Sequence, residues 1–288
     1  MMANQPCDGL LLVDKPAGMT SHDVVDRARR ALRTRRIGHG GTLDPFATGL
    51  LVLLVGRATR LLPYIDAEPK VYDATIRFGA ATTTDDLTGD ETVTAPVPSP
   101  DDVARALGSL TGEIEQVPPA YSAKQVGGQR AYAAARSGSA LELPAVRVVV
   151  HSWELRGWND PDLGVRIICG GGTYIRALAR DLGRLTGSAA HLVALRRVAS
   201  GRFDVQEAVP PDAVAPDVLR PAVDALPSLP RITLDADART RIGRGMAIAR
   251  APDATAERAA LLDADGALIA VAARDRDCWQ PKVVLVDA

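Results

Sequence analysis

Gly38-His39-Gly40-Gly41-Thr42-Leu43-Asp44-Pro45-Phe46-Ala47-Thr48-Gly49-Leu50 is the stretch on which the reading of this chain turns. Pro45 pushes the residue before it toward extended backbone, so Asp44 is predicted to lie outside any helix. The glycines let another molecule approach the backbone closely. No second acid stands nearby. A lone, rigidly held carboxylate fits a nucleophile or an electrostatic anchor better than an acid–base pair. The apolar run Leu50–Val55 follows at once and predicts a buried strand. Two readings fit these residues: a loop that presents Asp44 to a ligand, and a tight turn in which Asp44 caps a backbone N–H. Neither phosphate-loop spacing, GxxxxGK(S/T) or GxGxxG, is present.

Upstream, Gly9–Asp14 reads as a short buried strand broken by Lys15-Pro16-Ala17-Gly18. Thr20 and Ser21 offer N-cap oxygens, and Val24, Ala28 and Leu32 recur every four residues, so a helix is predicted from about Ser21. Downstream, a short helix is expected around Ala58–Tyr64. Residues 71–78 then alternate, with Tyr72, Ala74, Ile76 and Phe78 on one face, which predicts a half-buried strand with Tyr72 pointing inward. Residues 80–91 read as a polar loop, 101–111 as a helix, and 117–138 as a long Pro/Gly-rich excursion of the kind that carries function. Ala145–Leu155 and Leu163–Ile168 read as strands. Gly170-Gly171-Gly172 is expected to open a helix at Thr173 that stops near Gly187. A helix N-terminus favours an anion, so Arg176 there wants a carboxylate or phosphate partner. Six prolines between Pro210 and Pro230 mark a linker or boundary, and Asp265-Gly266 marks a hairpin between Ala259–Leu262 and Ala267–Ala273.

With 288 residues and 47% hydrophobic content, the chain can bury a sizeable core. Its longest apolar runs are far too short for a bilayer-spanning helix. The N-terminus lacks a basic region followed by an apolar segment, so no secretory signal is expected. Cys7, Cys169 and Cys278 are odd in number and scattered, which suggests neither a disulfide framework nor zinc. The four histidines include no pair at metal-ligand spacing. Ser21-His22-Asp23 are sequence neighbours and not a triad. The net charge of −1 hides an uneven distribution. Arg27, Arg29, Arg30, Arg33, Arg35 and Arg36 crowd one stretch, and Arg196, Arg197 and Arg202 another, as either a phosphate-binding face or a solvated surface.

Lys15-Pro16-Ala17-Gly18-Met19-Thr20-Ser21, the Gly38–Leu50 stretch, Tyr72 at a strand start and Gly172-Thr173-Tyr174-Ile175-Arg176 occur in this order and at these separations in one family. From about Leu10 to Arg202 the chain resembles the bacterial tRNA pseudouridine-55 synthases. The resemblance implies an α/β (α+β) catalytic domain, a mixed, largely antiparallel sheet flanked by helices, over 1–228. It implies an RNA-contacting insertion at about 117–138 and a small PUA-like β-barrel over 229–288. The implied reaction turns uridine 55 of the tRNA T-loop into pseudouridine, with no cofactor and no metal. The implied partner is the T-arm and elbow of tRNA, met by a monomer in the cytoplasm and not at a membrane.

By the same resemblance Asp44 matches the attacking aspartate and Arg176 its ion-pair partner. At about 4 Å and an effective dielectric of about 20, such a pair attracts by roughly 4 kcal/mol before desolvation. Tyr72 matches the tyrosine that stacks on the target base and handles a proton. Asp86 matches a second acid that organises the polar network. Leu195 matches an apolar base contact, with Arg197 beside it, and His39 the residue that fills the vacated stack. Lys15, Tyr174, Arg130 and Tyr132 fall among the RNA or base contacts. Ser122-Ala123-Lys124-Gln125 departs from the family's Ser-Ala-x-Lys by carrying its lysine one place early. A non-catalytic RNA-folding protein would be expected to lack Asp44, Tyr72 or Arg176, and all three are present. A carboxylate-based nucleoside hydrolase would release free uracil.

Overall fold

Leu50–Val55 is buried on both faces, and this double burial orders the first half of the structure. The computed structural model describes residues 8–122, 125–126, 129–130, 143–251 and 255–286. In chain order the first elements are β1 (Gly9–Lys15), α1 (Ser21–Ala31), β2 (Ile37–His39), β3 (Thr48–Val55), β4 (Lys70–Phe78), β5 (Ala80–Thr82) and β6 (Glu91–Thr94). Next come α2 (Pro100–Leu107), β7 (Gly112–Gln116), β8 (Gln125–Val126), β9 (Gln129–Arg130), β10 (Val146–Asn159), β11 (Asp162–Cys169), α3 (Ile175–Leu185) and β12 (Ala190–Ser200). The last are β13 (Phe203–Asp204), β14 (Arg231–Thr233), α4 (Ala236–Gly243), β15 (Ile248–Ala249), β16 (Arg258–Leu262), β17 (Leu268–Asp275) and β18 (Cys278–Val284). The chain divides into two compact units.

The first unit holds residues up to 45, 50–67 and those from 202 on. In it β1 lies beside β3, and β2 pairs antiparallel with β3, Ile37 opposite Val55. α1 starts where its cap predicts. Thr20 Oγ1 accepts from the Asp23 N–H at 3.0 Å, and an Asp23 carboxylate oxygen accepts from the Thr20 N–H at 2.8 Å. Val24, Val25 and Ala28 of α1 pack on Leu11, Val13, Leu51, Leu53 and Val55. The alternate residues Leu10, Leu12, Leu50, Val52 and Leu54 pack with Ala260, Leu262, Leu268, Val271 and Val283. A strand covered on both sides needs apolar residues at every position, which is why Leu50–Val55 is continuous and does not alternate. Each such leucine contributes about 2 kcal/mol of burial.

The covering layer is the expected C-terminal module, a five-stranded curled sheet in the order β14–β16–β17–β18–β15. Its other face carries Trp279, Ile269, Leu261 and the Ile242 of α4. The Asp265-Gly266 turn forms as expected: Gly266 takes φ +82°, and an Asp263 carboxylate oxygen accepts from the N–H groups of Asp265 and Ala267. The Pro-rich stretch expected as a linker follows β1 through short 3₁₀ turns. Leu10 N–H donates to Arg220 O at 3.0 Å and Asp14 N–H to Val209 O at 2.9 Å. The pairing is reciprocal, since Arg220 N–H donates to Leu10 O at 2.9 Å and Val209 N–H to Leu12 O at 3.1 Å.

The second unit holds 46–49 and 68–201. Its sheet runs β12–β4–β11–β10–β7, antiparallel throughout, and Thr48 and Gly49 of β3 pair parallel with Arg196 and Arg197. Tyr72, Ala74, Ile76 and Phe78 are buried, as their alternation predicts. α2 is capped by Ser99, with Pro100 in its first turn. The segment expected as one polar loop at 80–91 forms β5, which pairs with β6 just beyond it. α3 begins at Ile175, two residues later than expected. Tyr174 is the extended N-cap, its N–H and C=O both bonded to the Gln116 amide at 2.8 and 3.1 Å, while its C=O also accepts the first helical N–H, that of Leu178. Gly187, the expected stop, takes φ +66°.

Gly49 pairs with Arg197 of β12. It has φ +103°, and a Cβ there would lie 2.2 Å from the Arg197 carbonyl oxygen. Gly49→Ala is expected to cost about 3 kcal/mol or more of unfolding free energy in urea titration, because both strain and backbone overlap are rigid. A loss under about 1 kcal/mol would mean that this strand contact yields freely.

Candidate active site

Asp44 sits in irregular backbone between β2 and β3 and is half-buried. Its neighbours are pinned. Leu43 N–H donates to Ser21 Oγ at 2.9 Å, and that hydroxyl donates to Leu43 O at 3.1 Å. On the other side Pro45 O accepts from the Gly18 N–H at 2.8 Å and from Lys15 Nζ at 3.3 Å. Lys15 Nζ also donates to Met19 O at 2.7 Å and Pro16 O at 3.1 Å. The Lys15–Ser21 segment is thus the frame that fixes the backbone on both sides of Asp44. Gly40 N–H donates to Val52 O at 2.9 Å, tying the upstream end of the loop to β3. Lys15, expected as an RNA or base contact, is fully buried, so it has no surface to offer a phosphate and serves the loop instead. His39 stands opposite Leu53 in the β2–β3 pairing.

In the second unit the sheet and α3 each bring groups together. On the sheet, Tyr72 lies between Ile167 of β11 and Arg197 of β12, directly opposite each, and Leu195 faces Ala74 one step along. Tyr72, Leu195 and Arg197 are all buried. On α3, Arg176 is 4% exposed, and its guanidinium contacts both backbone carbonyls and a carboxylate. One Nη donates to Thr84 O at 2.9 Å and lies 3.5 Å from an Asp86 carboxylate oxygen, and the other donates to Tyr121 O at 2.9 Å. The second Asp86 oxygen accepts from Thr84 Oγ1 at 2.7 Å, Thr88 N–H at 2.9 Å and Thr88 Oγ1 at 2.5 Å. The partner that a cation at a helix N-terminus needs is therefore Asp86 among others. Sequence reasoning does not single out Thr84 and Thr88, because a threonine-rich loop gives no local sign of which carboxylate it wraps.

The Glu68 carboxylate packs closely against the Gly170-Gly171-Gly172 backbone. A Cβ on Gly171 would lie 2.0 Å from a Glu68 carboxylate oxygen. Nearby, burial and the positive charge of Arg197 push the Lys70 ammonium down from its ordinary value. Burial pushes the Cys169 thiol up to about 11, which keeps it protonated and unreactive at neutral pH. Elsewhere on the sheet, Arg166 pairs bidentately with Asp73 at 2.6 and 2.7 Å and holds its carboxyl below the usual range. Among the described residues no group of three or more His, Cys, Asp or Glu side chains is placed to hold a metal.

A model of the TruB family pseudouridylate synthase N-terminal domain matches residues 29–175, and a model of the tRNA pseudouridylate synthase B C-terminal domain matches 176–222. The chain belongs to the TruB family of pseudouridylate synthases. Similar relatives include tRNA pseudouridine synthase B of Thermobifida fusca (strain YX), 45% identical over 96% of this chain and 98% of that protein. That of Mycobacterium sp. (strain KMS) is 50% identical over 83% of this chain and 84% of that protein. Among solved structures, a chain of an H/ACA RNP bound to a substrate RNA containing 2′-deoxyuridine superposes with a TM-score of 0.70 at 21% identity, covering 96% of this chain and 85% of its own. A Cbf5-Nop10-Gar1 complex gives 0.70 at 23%, covering 97% and 85%. At those identities the solved structures establish the family fold, a mixed sheet with helices.

Of the remaining TruB-like positions, Tyr174 caps α3 through its backbone and is itself half-buried. Arg130 ends β9, paired with Gln125 of β8. Tyr132 and Lys124 lie outside the described residues. Along α1, Arg27 pairs with Asp212 and Arg29 with Asp26; Arg30 on α1, and Arg33 and Arg35 just after it, lie on the exposed surface. Ser21-His22-Asp23 open α1, with Asp23 in the cap, and form no triad.

Lys15→Met keeps the apolar stem but removes a buried donor from three carbonyls, so it is expected to cost about 3 kcal/mol in urea unfolding. It is also expected to slow pseudouridine formation in the fraction that stays folded. Wild-type stability together with a wild-type rate would show that the Asp44 loop does not depend on this lysine.

Proposed function

We propose that this chain converts uridine 55 in the T-loop of tRNA into pseudouridine, with Asp44 as the nucleophile. The reaction is an isomerisation. The bond between the ribose and the ring nitrogen of uracil breaks, the base turns, and the ribose is rejoined to a ring carbon. The hydrogen on that carbon leaves as a proton, and the freed nitrogen takes one up, so no oxidant, reductant or group donor is needed. What supports the assignment is the Asp44 loop: a carboxylate between two residues whose backbone is tied to the Lys15–Ser21 segment. Such fixing removes much of the entropy cost of aiming a reactive group.

Tyr72 is assigned to stacking on the target base and to handling a proton, and Leu195 to apolar contact with the base. Arg176 supplies the positive charge that keeps a reacting carboxylate ionised, and Asp86 holds that arginine. The target nucleotide must be swung out of its stack, at a cost of a few kcal/mol. His39 then fills the vacated position, and Tyr174 and Arg197 flank the base. The exposed arginines of α1 and of the stretch just after it, together with the 117–138 insertion and its Arg130 and Tyr132, grip RNA backbone. We assign 1–228 to catalysis and 229–288 to a PUA-like RNA-binding barrel, which the curled five-stranded sheet supports. The enzyme works as a monomer in the cytoplasm, where its tRNA substrate is. No helix among the described residues is long and apolar enough to cross a membrane.

Asp44→Asn, assayed on a tRNA transcript by nucleoside chromatography, is expected to lose at least about 1,000-fold in pseudouridine formation while still binding the transcript. Retained activity would refute the nucleophile assignment. Release of free uracil by the wild type would point to hydrolysis instead.

A further inference from the structure

Beside the Arg176–Asp86 pair lies a second one that the mechanism does not use. Arg180 is one helical turn beyond Arg176 on α3, so the two side chains leave the same face. Its Nη1 lies 3.0 Å from an Asp85 carboxylate oxygen, and both side chains are nearly buried, 13% and 14% exposed. Its Nη2 donates to Val117 O at 2.8 Å, and its Nε to Asp181 Oδ1 at 2.9 Å. Asp85 adjoins Asp86 in sequence, and Val117 and Tyr121 border one short segment. The two arginines therefore hold the same two loops: Arg176 takes Thr84, Asp86 and Tyr121, and Arg180 takes Asp85 and Val117.

Asp85 also carries a backbone signature. Its φ is +59°, one of three positive values among the described non-glycine residues. A left-handed aspartate persists only where its surroundings over-determine it. Here its carbonyl accepts from Leu192 N–H at 3.1 Å, and its own N–H donates to Thr82 O at 3.3 Å. This twist turns consecutive carboxylates onto different arginines of one helix. Burial pushes the Asp85 carboxyl up from its ordinary value, and the charges of Arg180 and Arg176 oppose that shift. A buried ion pair of this kind adds little net stability and is better suited to fixing geometry.

We propose that Asp85 and Arg180 form a positioning pair, which sets the 84–86 loop and the 117–121 segment on α3 and so holds the Arg176 guanidinium in its working orientation. The pair acts through Arg176 and Asp86 and touches no substrate atom. This rests on the reading of the chain as a pseudouridine synthase.

The test is single-turnover pseudouridine formation, with tRNA affinity measured separately, on wild type, Asp85→Asn, Arg180→Met, Arg180→Lys and the Asp85→Asn/Arg180→Met double variant. Asn is isosteric with Asp and tolerates the left-handed region, so Asp85→Asn decides the matter if Arg180→Met does not fold. The expected result is a roughly tenfold or greater fall in the chemical rate for Asp85→Asn and Arg180→Met, with tRNA affinity within about threefold of wild type. Arg180→Lys should recover part of the rate, and the double variant should be no slower than the worse single one. Rates within about threefold of wild type in folded protein, or a loss that lies wholly in tRNA affinity, would overturn the proposal. If the wild type itself makes no pseudouridine, the functional reading fails, which the same assay separates from failure of the pair.

Discussion

A guanidinium taken out of water is the constraint on which the second unit depends. Arg176 is buried and must find partners for its N–H groups inside the protein. It finds a carboxylate from one loop and carbonyls from two. At 3.5 Å and an effective dielectric of about 20, the attraction to Asp86 is about 5 kcal/mol, which the cost of stripping water from both ions largely offsets. The net effect on folding is therefore small, while the effect on geometry is large: the 84–88 loop, the 117–121 segment and α3 have one mutual arrangement that satisfies every group. Threonine hydroxyls complete it by saturating the Asp86 oxygen that Arg176 does not reach.

The first unit fixes its carboxylate by a different device. Hydrogen bonds hold the backbone on either side of Asp44, because Ser21 and Lys15 saturate the neighbouring peptide groups. On the proposed function this arrangement is preparation for attack on a nucleoside. A nucleophile gains most when the frame that aims it is rigid before substrate arrives.

Much of this is legible in the sequence, for physical reasons that can be named. The unbroken run at Leu50–Val55 records burial on two faces, the alternation at 71–78 records burial on one, and the Thr20–Asp23 spacing records a capping box. These signals are local. β12 gives no clear strand signal because register shifts between Leu192 and Ala194, and between Arg197 and Ala199, break its period of two. α3 starts later than its glycines suggest because Tyr174 is extended and caps it, its backbone bonded to Gln116, 58 residues away. Lys15 falls among the RNA or base contacts by the family resemblance alone. Its three carbonyl partners are visible only once the loop has closed over it. The order of Asp44, Tyr72, Asp86 and Arg176 can be read by resemblance, whereas the wrapping of Asp86 by threonines cannot.

The role of the Arg176 guanidinium is tested most directly by the single-turnover rate of Arg176→Lys on tRNA transcript, with folding checked by urea titration. Lysine keeps one positive charge but offers a point donor where the planar fork now serves three partners. The rate is expected to fall at least about 100-fold in protein that remains folded. A folded Arg176→Lys protein working within about threefold of wild type would show that charge alone suffices, and would contradict the geometric role of the buried fork.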